Sequence, residues 1–249
     1  MRKCPARTNR FLIALILLQF VPFAVARATD PQGTTEDLSA GATFTFEIGP
    51  NLPQFTFKVI PEKRRTDKYG SAQSTVHEIV VFRGKSKQPL QHLSSCDLNE
   101  MEVPFKGSSW LRTGDINFDG YQDINLVTTQ GVTGNEGGCF WLFNPTTRRF
   151  DYSDAFSKLY GPRIDPTTKT LFCFATGGMA GMVHSASKYK VQNNRPVLIW
   201  SEEQDWDNSK NQSHCVQQEL RSDKMTTILD MRGAEDGVRE CDASRLFAN

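Results

Sequence analysis

Residues 115 to 123 read D-I-N-F-D-G-Y-Q-D, which places side-chain oxygens on Asp115, Asn117, Asp119 and Asp123 at every second or fourth step of one short loop. That spacing serves the capture of Ca2+, a hard cation satisfied by six to eight flexible oxygen ligands. In a tightly coiled loop alternate side chains turn toward one centre. Gly120 permits the sharp bend and the carbonyl of Tyr121 supplies a further oxygen. Zinc would call for nitrogen or sulfur, so the donor set selects calcium. Where a helix-loop-helix site would carry its bidentate glutamate the chain has Leu126, and INLVTTQ after the loop is β-branched rather than helical. The motif therefore predicts a strand-loop-strand calcium site with a dissociation constant of about 10⁻⁵ to 10⁻³ M, the range of extracellular modules. Its role is structural, because no poised nucleophile or acid pair adjoins it.

Strands must hold such a loop, and the hydrophobic pattern supplies them. Phe44, Phe46 and Ile48, then Phe55, Phe57 and Val59, alternate with polar residues on either side of GPNLPQ, whose prolines and glycine stop a strand. STVHEIVVFRG adds another strand ending at Gly84. Further strands are expected at 123–129, 139–143, 171–176, 188–191, 197–202, 216–220 and 225–231, with at most a turn or two of helix at 154–159. The turns between them are NPTTR at 144–148, DPTTK at 165–169, QNNRP at 192–196 and RSDK at 221–224. The first two are nearly one sequence, and their recurrence suggests stacked hairpin units. The expected fold class is all-β, an antiparallel meander of short hairpins in a propeller-like or sandwich arrangement.

The N-terminus has a cationic head (Arg2, Lys3, Arg7, Arg10), an apolar run FLIALILLQFVPFAVA and an A-x-A end, which reads as a cleaved secretory signal over residues 1–26. Gln19 and Pro22 interrupt the run, which is also too short for a membrane anchor. Residues 27–41 have almost no large apolar side chains and are expected to form a loose leader. An N-terminal β region at 42–106 and a calcium-binding β region at 107–249 complete the organisation. With 29 Lys and Arg against 28 Asp and Glu, there is no electrostatic case for nucleic-acid binding. No stable membrane insertion is expected after signal cleavage, and the product is periplasmic or secreted.

Export makes disulfides the expected state of Cys96, Cys139, Cys173, Cys215 and Cys241, with at least one left over because five is odd. Cys215 with Cys241 is the most local pairing, since a hairpin between them would return the chain. GGMAGM at 177–182 lacks the Lys-Ser/Thr end of a phosphate loop, and no nucleophile-elbow or zincin motif is present. SEEQDWD at 201–207 invites a glycosidase reading through Glu202, Glu203 or Asp205, but adjacent acids at a polar hairpin end are ordinarily solvated. Trp200 and Trp206 offer a second idea, stacking on sugar rings in a carbohydrate- or cell-wall-binding module.

The calcium loop, then CFWLFNPTTRRFDYSDAFSKL, PRIDPTTKTLFCFATGG, HSASKY and VLIWSEEQDW, over residues 107–206, together resemble exported proteins related to the immunity protein that xanthomonads pair with a lysozyme-like type IV secretion effector. Those proteins are in turn similar to periplasmic lysozyme inhibitors. The resemblance implies an exported, calcium-binding, all-β, non-enzymatic protein whose partner is a cell-wall hydrolase. It further implies a plugging loop like the S-G-x-x-Y of lysozyme inhibitors. Ser185 and Tyr189 match that motif, Ala186 replaces its glycine, and Lys188 would add charge attraction to a glycosidase's carboxylates; the residues by themselves read equally as a strand start with Tyr189 half-buried. His184 is expected to be a local hydrogen-bond partner rather than a catalyst.

Overall fold

The computed structural model describes residues 42–61, 65–66, 72–73, 76–93, 96, 110–131, 133–178, 183–233 and 241, all within the second of two units, Met1–Gln32 and Gly33–Asn249. The expected signal and leader lie outside the described residues. Among those residues no helix is long and apolar enough to cross a membrane.

Strands β1 (Ala42–Phe46) and β2 (Phe55–Pro61), the two-residue pair β3 (Arg65–Thr66) and β4 (Ala72–Gln73), then β5 (Val76–Arg83) and β6 (Gln91–Leu93) open the fold. β7 (Leu111–Gly114), β8 (Asp123–Gln130), β9 (Glu136–Asn144) and β10 (Arg149–Tyr152) follow, then the single-turn helix α1 (Asp154–Ser157). The chain continues through β11 (Arg163–Asp165), β12 (Thr170–Gly178), β13 (Val183–Gln192), β14 (Arg195–Asp207), β15 (Gln212–Arg221) and β16 (Lys224–Gly233). They form three main antiparallel sheets, ordered β1-β2-β5-β6, β10-β9-β8-β7 and β11 through β16. The all-β antiparallel meander read from the alternation is the observed architecture.

The expected β1–β2 hairpin is in register, with Phe44 opposite Phe57 and Phe46 opposite Phe55. On β2 and β5, Phe55, Phe57, Val59, Ile79 and Val81 all face one core, as a period of two requires. Across from them stand Leu111, Ile124, Leu126, Trp141, Phe143 and Phe150 of the second sheet, so this core draws on residues both before and after position 107. Edge-to-face contacts of Phe55 with Phe143 (5.7 Å) and Phe150 (5.6 Å) knit the two faces together. The opposite face of the second sheet turns Phe140 and Leu142 into a second core with Phe156 and Leu159, and with Leu171, Cys173 and Tyr189 of the third sheet. β9 is therefore apolar on both faces, which is why CFWLF reads as a continuous run.

The two Asx-Pro-Thr-Thr turns fold alike. Asn144 Oδ1 accepts the amides of Thr146 and Thr147 at 3.0 and 3.2 Å, and Asp165 Oδ1 those of Thr167 and Thr168 at 2.9 and 3.2 Å. Each closes on a left-handed residue, Arg148 at φ 55° and Lys169 at φ 52°. A third copy joins β14 to β15: Asp207 Oδ1 accepts Ser209 N at 3.0 Å and Asn211 sits at φ 52°. It has no proline, so sequence comparison misses it. Disulfides join Cys96 to Cys139 and Cys215 to Cys241, the latter across the β15–β16 hairpin as expected, and Cys173 is the buried odd thiol.

Candidate metal loop and adjoining cleft

β7 and β8 pair through Gly114 and Asp123, and residues 115–122 bridge them, so the strand-loop-strand frame is present. The loop coils because two residues take left-handed backbone, Gly120 at φ 90° and Phe118 at φ 61°. For a phenylalanine that conformation is strained, and packing against the second core offsets it. The acidic side chains bind the loop's own amides. Asp115 accepts Asp119 N and Gly120 N, each at 2.9 Å, and Asp119 accepts Tyr121 N at 2.9 Å. Asn117 Oδ1 accepts Asp119 N at 3.2 Å. Asp123, 1% exposed, takes Ile116 N at 3.1 Å on one oxygen and Phe143 N at 2.8 Å on the other.

Electrostatics make this loop receptive to a cation. Burial pushes the Asp123 carboxyl up to about 7, and the charges of Asp119 and Asp115 push the same way against the two backbone hydrogen bonds. Asp115 is raised too, again chiefly by burial, with Asp119 adding to the effect. Three carboxylates sharing one partly dry neighbourhood repel one another, and a divalent ion removes both that repulsion and the incentive to take up protons. The donors are all oxygen: Asp115, Asn117, Asp119, the Tyr121 carbonyl and Asp123. Their chemistry fits Ca2+ and not a softer metal. The carboxylate oxygens of Asp115, Asp119 and Asp123 do not all lie within 4.8 Å of one another. The cluster that meets that spacing among the described residues is Glu202, Cys215 and Cys241, whose sulfurs are joined to each other.

The loop touches all three main sheets. Gln122 N donates to Ile48 O at 2.6 Å beyond β1, and Gly49 lies so near the Tyr121 ring that a Cβ there would be 2.6 Å from it. Asp123 bonds β9 as described. On the third side Asn117 Nδ2 donates to Asn194 Oδ1 at 3.3 Å, at the tip of the β13–β14 hairpin. A cleft of about 600 Å³ opens beside this contact, lined among others by Asp119, Asn144, Asp151, Asp154, Asn194 and Arg195. Asp119 and Asp151 face the Arg195 guanidinium across it, while Asp154 is ion-paired with Lys158 at 2.6 Å.

Of the two readings of this segment, a plugging loop and a strand start with Tyr189 half-buried, the structure has the strand. Ser185, Lys188 and Tyr189 lie inside β13, which is hydrogen-bonded to β12 on one side and β14 on the other. The reason is the β-branched and aromatic content of β12 and β14, which recruits SASKY into the sheet. Ser185 is exposed, while Tyr189 is half-buried against the second core, its hydroxyl bonded to Ser187 and its pKa raised by burial. Alternation along β13 sends Lys188 to the opposite face.

The solvated reading of SEEQDWD also needs correction. Glu202 and Gln204 are 2% and 5% exposed, while Glu203 and Asp205 face solvent. Glu202 Oε1 meets His184 Nε2 at 2.8 Å and Oε2 accepts Gln217 Nε2 at 2.7 Å, so His184 is indeed a local partner. Trp200 is half-buried, its ring stacked 6.3 Å from that of Phe172.

With this geometry in view, one solved structure stands out. The fold is shared with a Xanthomonas type IV secretion system related protein. The superposition has a TM-score of 0.54 and covers 79% of this chain and 97% of that one, at 16% sequence identity. Likeness at that identity concerns architecture. No protein-family model matches the chain, and no curated protein matches it.

Proposed function

We propose that the chain is an exported, non-enzymatic β protein, stabilised by Ca2+ in the 115–123 loop, that binds and inhibits a lysozyme-like peptidoglycan hydrolase as an immunity protein does. The observation that carries this reading is the position of an all-oxygen, three-carboxylate loop where the three main sheets meet. A cation held there by Asp115, Asn117, Asp119, Tyr121 and Asp123 would fasten the sheets to one another. The two disulfides suit an oxidising compartment. In the cleft beside the loop, Asp119 and Asp151 would be open to pairing with basic side chains of a partner. The shared architecture is compatible with a protein partner. Ser185, Lys188 and Tyr189 would reach such a partner only from the sheet, so the cleft is the better place for contact.

The test is calorimetric titration of Ca2+ into chelator-stripped protein, followed by a panel of cell-wall hydrolases assayed with and without it. Saturable heat at a dissociation constant of about 10⁻⁵ to 10⁻³ M, lost in Asp119→Ala, is expected, together with inhibition of at least one hydrolase. No heat, and no change in melting for Asp119→Ala with or without the ion, refutes the metal. Absence of inhibition across the panel, with retention on insoluble peptidoglycan instead, would transfer the reading to a wall-binding module.

A further inference from the structure

One face of the third sheet carries a buried polar cluster where β13, β14 and β15 run side by side. Gln204 stands opposite both His184 and Cys215, and Glu202 stands opposite Gln217, so alternation puts all five side chains on that face. Cys241, from the chain after β16, is joined to Cys215 there. Glu202, Cys215 and Cys241 are 2%, 0% and 3% exposed, and a carboxylate oxygen of Glu202 lies within 4.8 Å of both sulfurs.

The bridge accounts for the meeting of the two sulfurs and leaves the carboxylate unexplained. A carboxylate accepts hydrogen bonds and donates none, and a disulfide sulfur has no hydrogen to give, so neither gains from the other's company. A buried charge is tolerated when it is paired or holds a metal. The carboxylate is also firmly oriented. Its Oε1 meets His184 Nε2 at 2.8 Å and its Oε2 accepts Gln217 Nε2 at 2.7 Å, and the same Gln217 nitrogen is 3.9 Å from Cys241 Sγ. Hydrogen bonds of that kind are what a metal-ligating carboxylate ordinarily carries on its outer side.

We propose that Glu202, Cys215 and Cys241 form a redox-gated zinc site: a disulfide when oxidised, and when reduced a tetrahedral centre of two thiolates and one carboxylate with a fourth position for water. Bonds of about 2.3 Å to sulfur and about 2.1 Å to oxygen set tetrahedral ligand atoms roughly 3.6 to 3.8 Å apart, a spacing these three side chains reach once the sulfurs part. The switch needs a dithiol reductant. Its two S–H groups give the bridge two electrons and two protons, leaving Cys215 and Cys241 as thiols, and it departs as its own disulfide. Zn2+ then displaces both thiol protons, which pass to solvent. Two sulfurs in the donor set select zinc and exclude calcium, which takes oxygen alone. Ion and bridge are mutually exclusive, so zinc would keep Cys241 against β15 under conditions that break the covalent tie. No short cysteine motif announces the site, because its ligands come from β14, β15 and the chain beyond β16. The inference is independent of the calcium reading of residues 115–123.

The test reduces the full chain with a phosphine, which ends as its oxide and brings no thiolate to compete for the ion, and then titrates Zn2+ in oxygen-free buffer by calorimetry. Co2+ serves as a coloured substitute whose thiolate charge-transfer band reports sulfur ligation. Reduced wild type is expected to take up one ion per chain with release of about two protons, to show the cobalt band and to melt at a higher temperature with zinc than without; the oxidised protein should do none of these. Cys215→Ser should lose the band and the thermal shift, whereas Cys96→Ser, which opens the other disulfide, should keep both. Glu202→Gln should weaken zinc binding by roughly tenfold or more. If that variant does not fold, Glu202→Asp, whose carboxylate falls one methylene short, replaces it with the same expectation. No zinc uptake by reduced wild type, whether or not it stays folded, overturns the proposal. Zinc affinity unchanged in Cys215→Ser or in the Glu202 variant overturns it equally, since the ion would then be held by other groups.

Discussion

Asp123 Oδ1 accepts the amide hydrogen of Phe143 at 2.8 Å, so the last side-chain oxygen of the metal loop is also a rung between β8 and β9. The same carboxyl is 1% exposed and pushed up to about 7 by burial, with Asp119 and Asp115 pushing the same way. One residue thus ties proton uptake to the pairing of the sheet.

In the metal-free protein this carboxyl holds a proton more tightly when folded than when unfolded, where it titrates near the ordinary aspartate value. Its contribution to stability is fully present below that value and is lost as pH rises through about 7. On the calcium reading proposed above, the ion would have to displace the proton, so affinity should climb about tenfold per pH unit below 7 and flatten above it, with about one proton released per ion at the acid end. Titration calorimetry in buffers of differing ionisation enthalpy between pH 5.5 and 8 checks both. A pH-independent affinity would mean that Asp123 is already ionised in the folded chain.

Gly49 carries a steric demand that the loop motif does not reveal. A methyl group there would sit 2.6 and 3.0 Å from two ring carbons of Tyr121, whose ring is itself 5.3 Å from that of Phe143 and has little room to retreat. Gly49→Ala should cost about 1–3 kcal/mol in urea denaturation, the usual range for overpacking. In a Tyr121→Ala background the same change should cost less than about 0.5 kcal/mol, because the two effects share one contact. Equal costs in both backgrounds would show that the ring is not the obstacle.

Glu202 and Glu203 are adjacent and chemically identical, yet one is buried on His184 and Gln217 and the other faces water. Removing the buried carboxylate takes away an acceptor that His184 and Gln217 share, so Glu202→Ala should lose about 1–3 kcal/mol. Glu203→Ala should change stability by about 0.5 kcal/mol or less. Comparable urea midpoints for the two variants would remove the His184–Glu202 pair from any account of what holds the third sheet.

Much of this was legible before any coordinates. Alternating phenylalanines on either side of GPNLPQ set both the existence and the phase of the β1–β2 hairpin, because a slip of one residue would turn Phe55 and Phe57 outward. The loop motif located a connection between paired strands, and its missing glutamate excluded a helix after it. What escaped was whatever depends on neighbours distant in sequence. Alternation marked a strand only from Lys188, and it is pairing with the two flanking strands that carries β13 back to Val183 through Ser185 and Ala186. Glu202 reads as a solvated acid until β13 and β15 supply His184 and Gln217. Asn194 reads as half of a tight turn, a complete local explanation that hides its second contact. β7, four residues with the sequence LRTG, has too little alternation to be marked by its own pattern, and only the loop motif called for a strand before Asp115.

The third sheet runs β11 to β16 in strict chain order, and the second sheet likewise joins each strand to its predecessor. No pairing in either has to wait for a distant stretch of polypeptide to arrive, and each hairpin has a short turn of its own to start from. Each of these sheets can therefore be assembled strand by strand, and what remains for long-range association is the meeting of the sheets around the 115–123 loop, which touches all three.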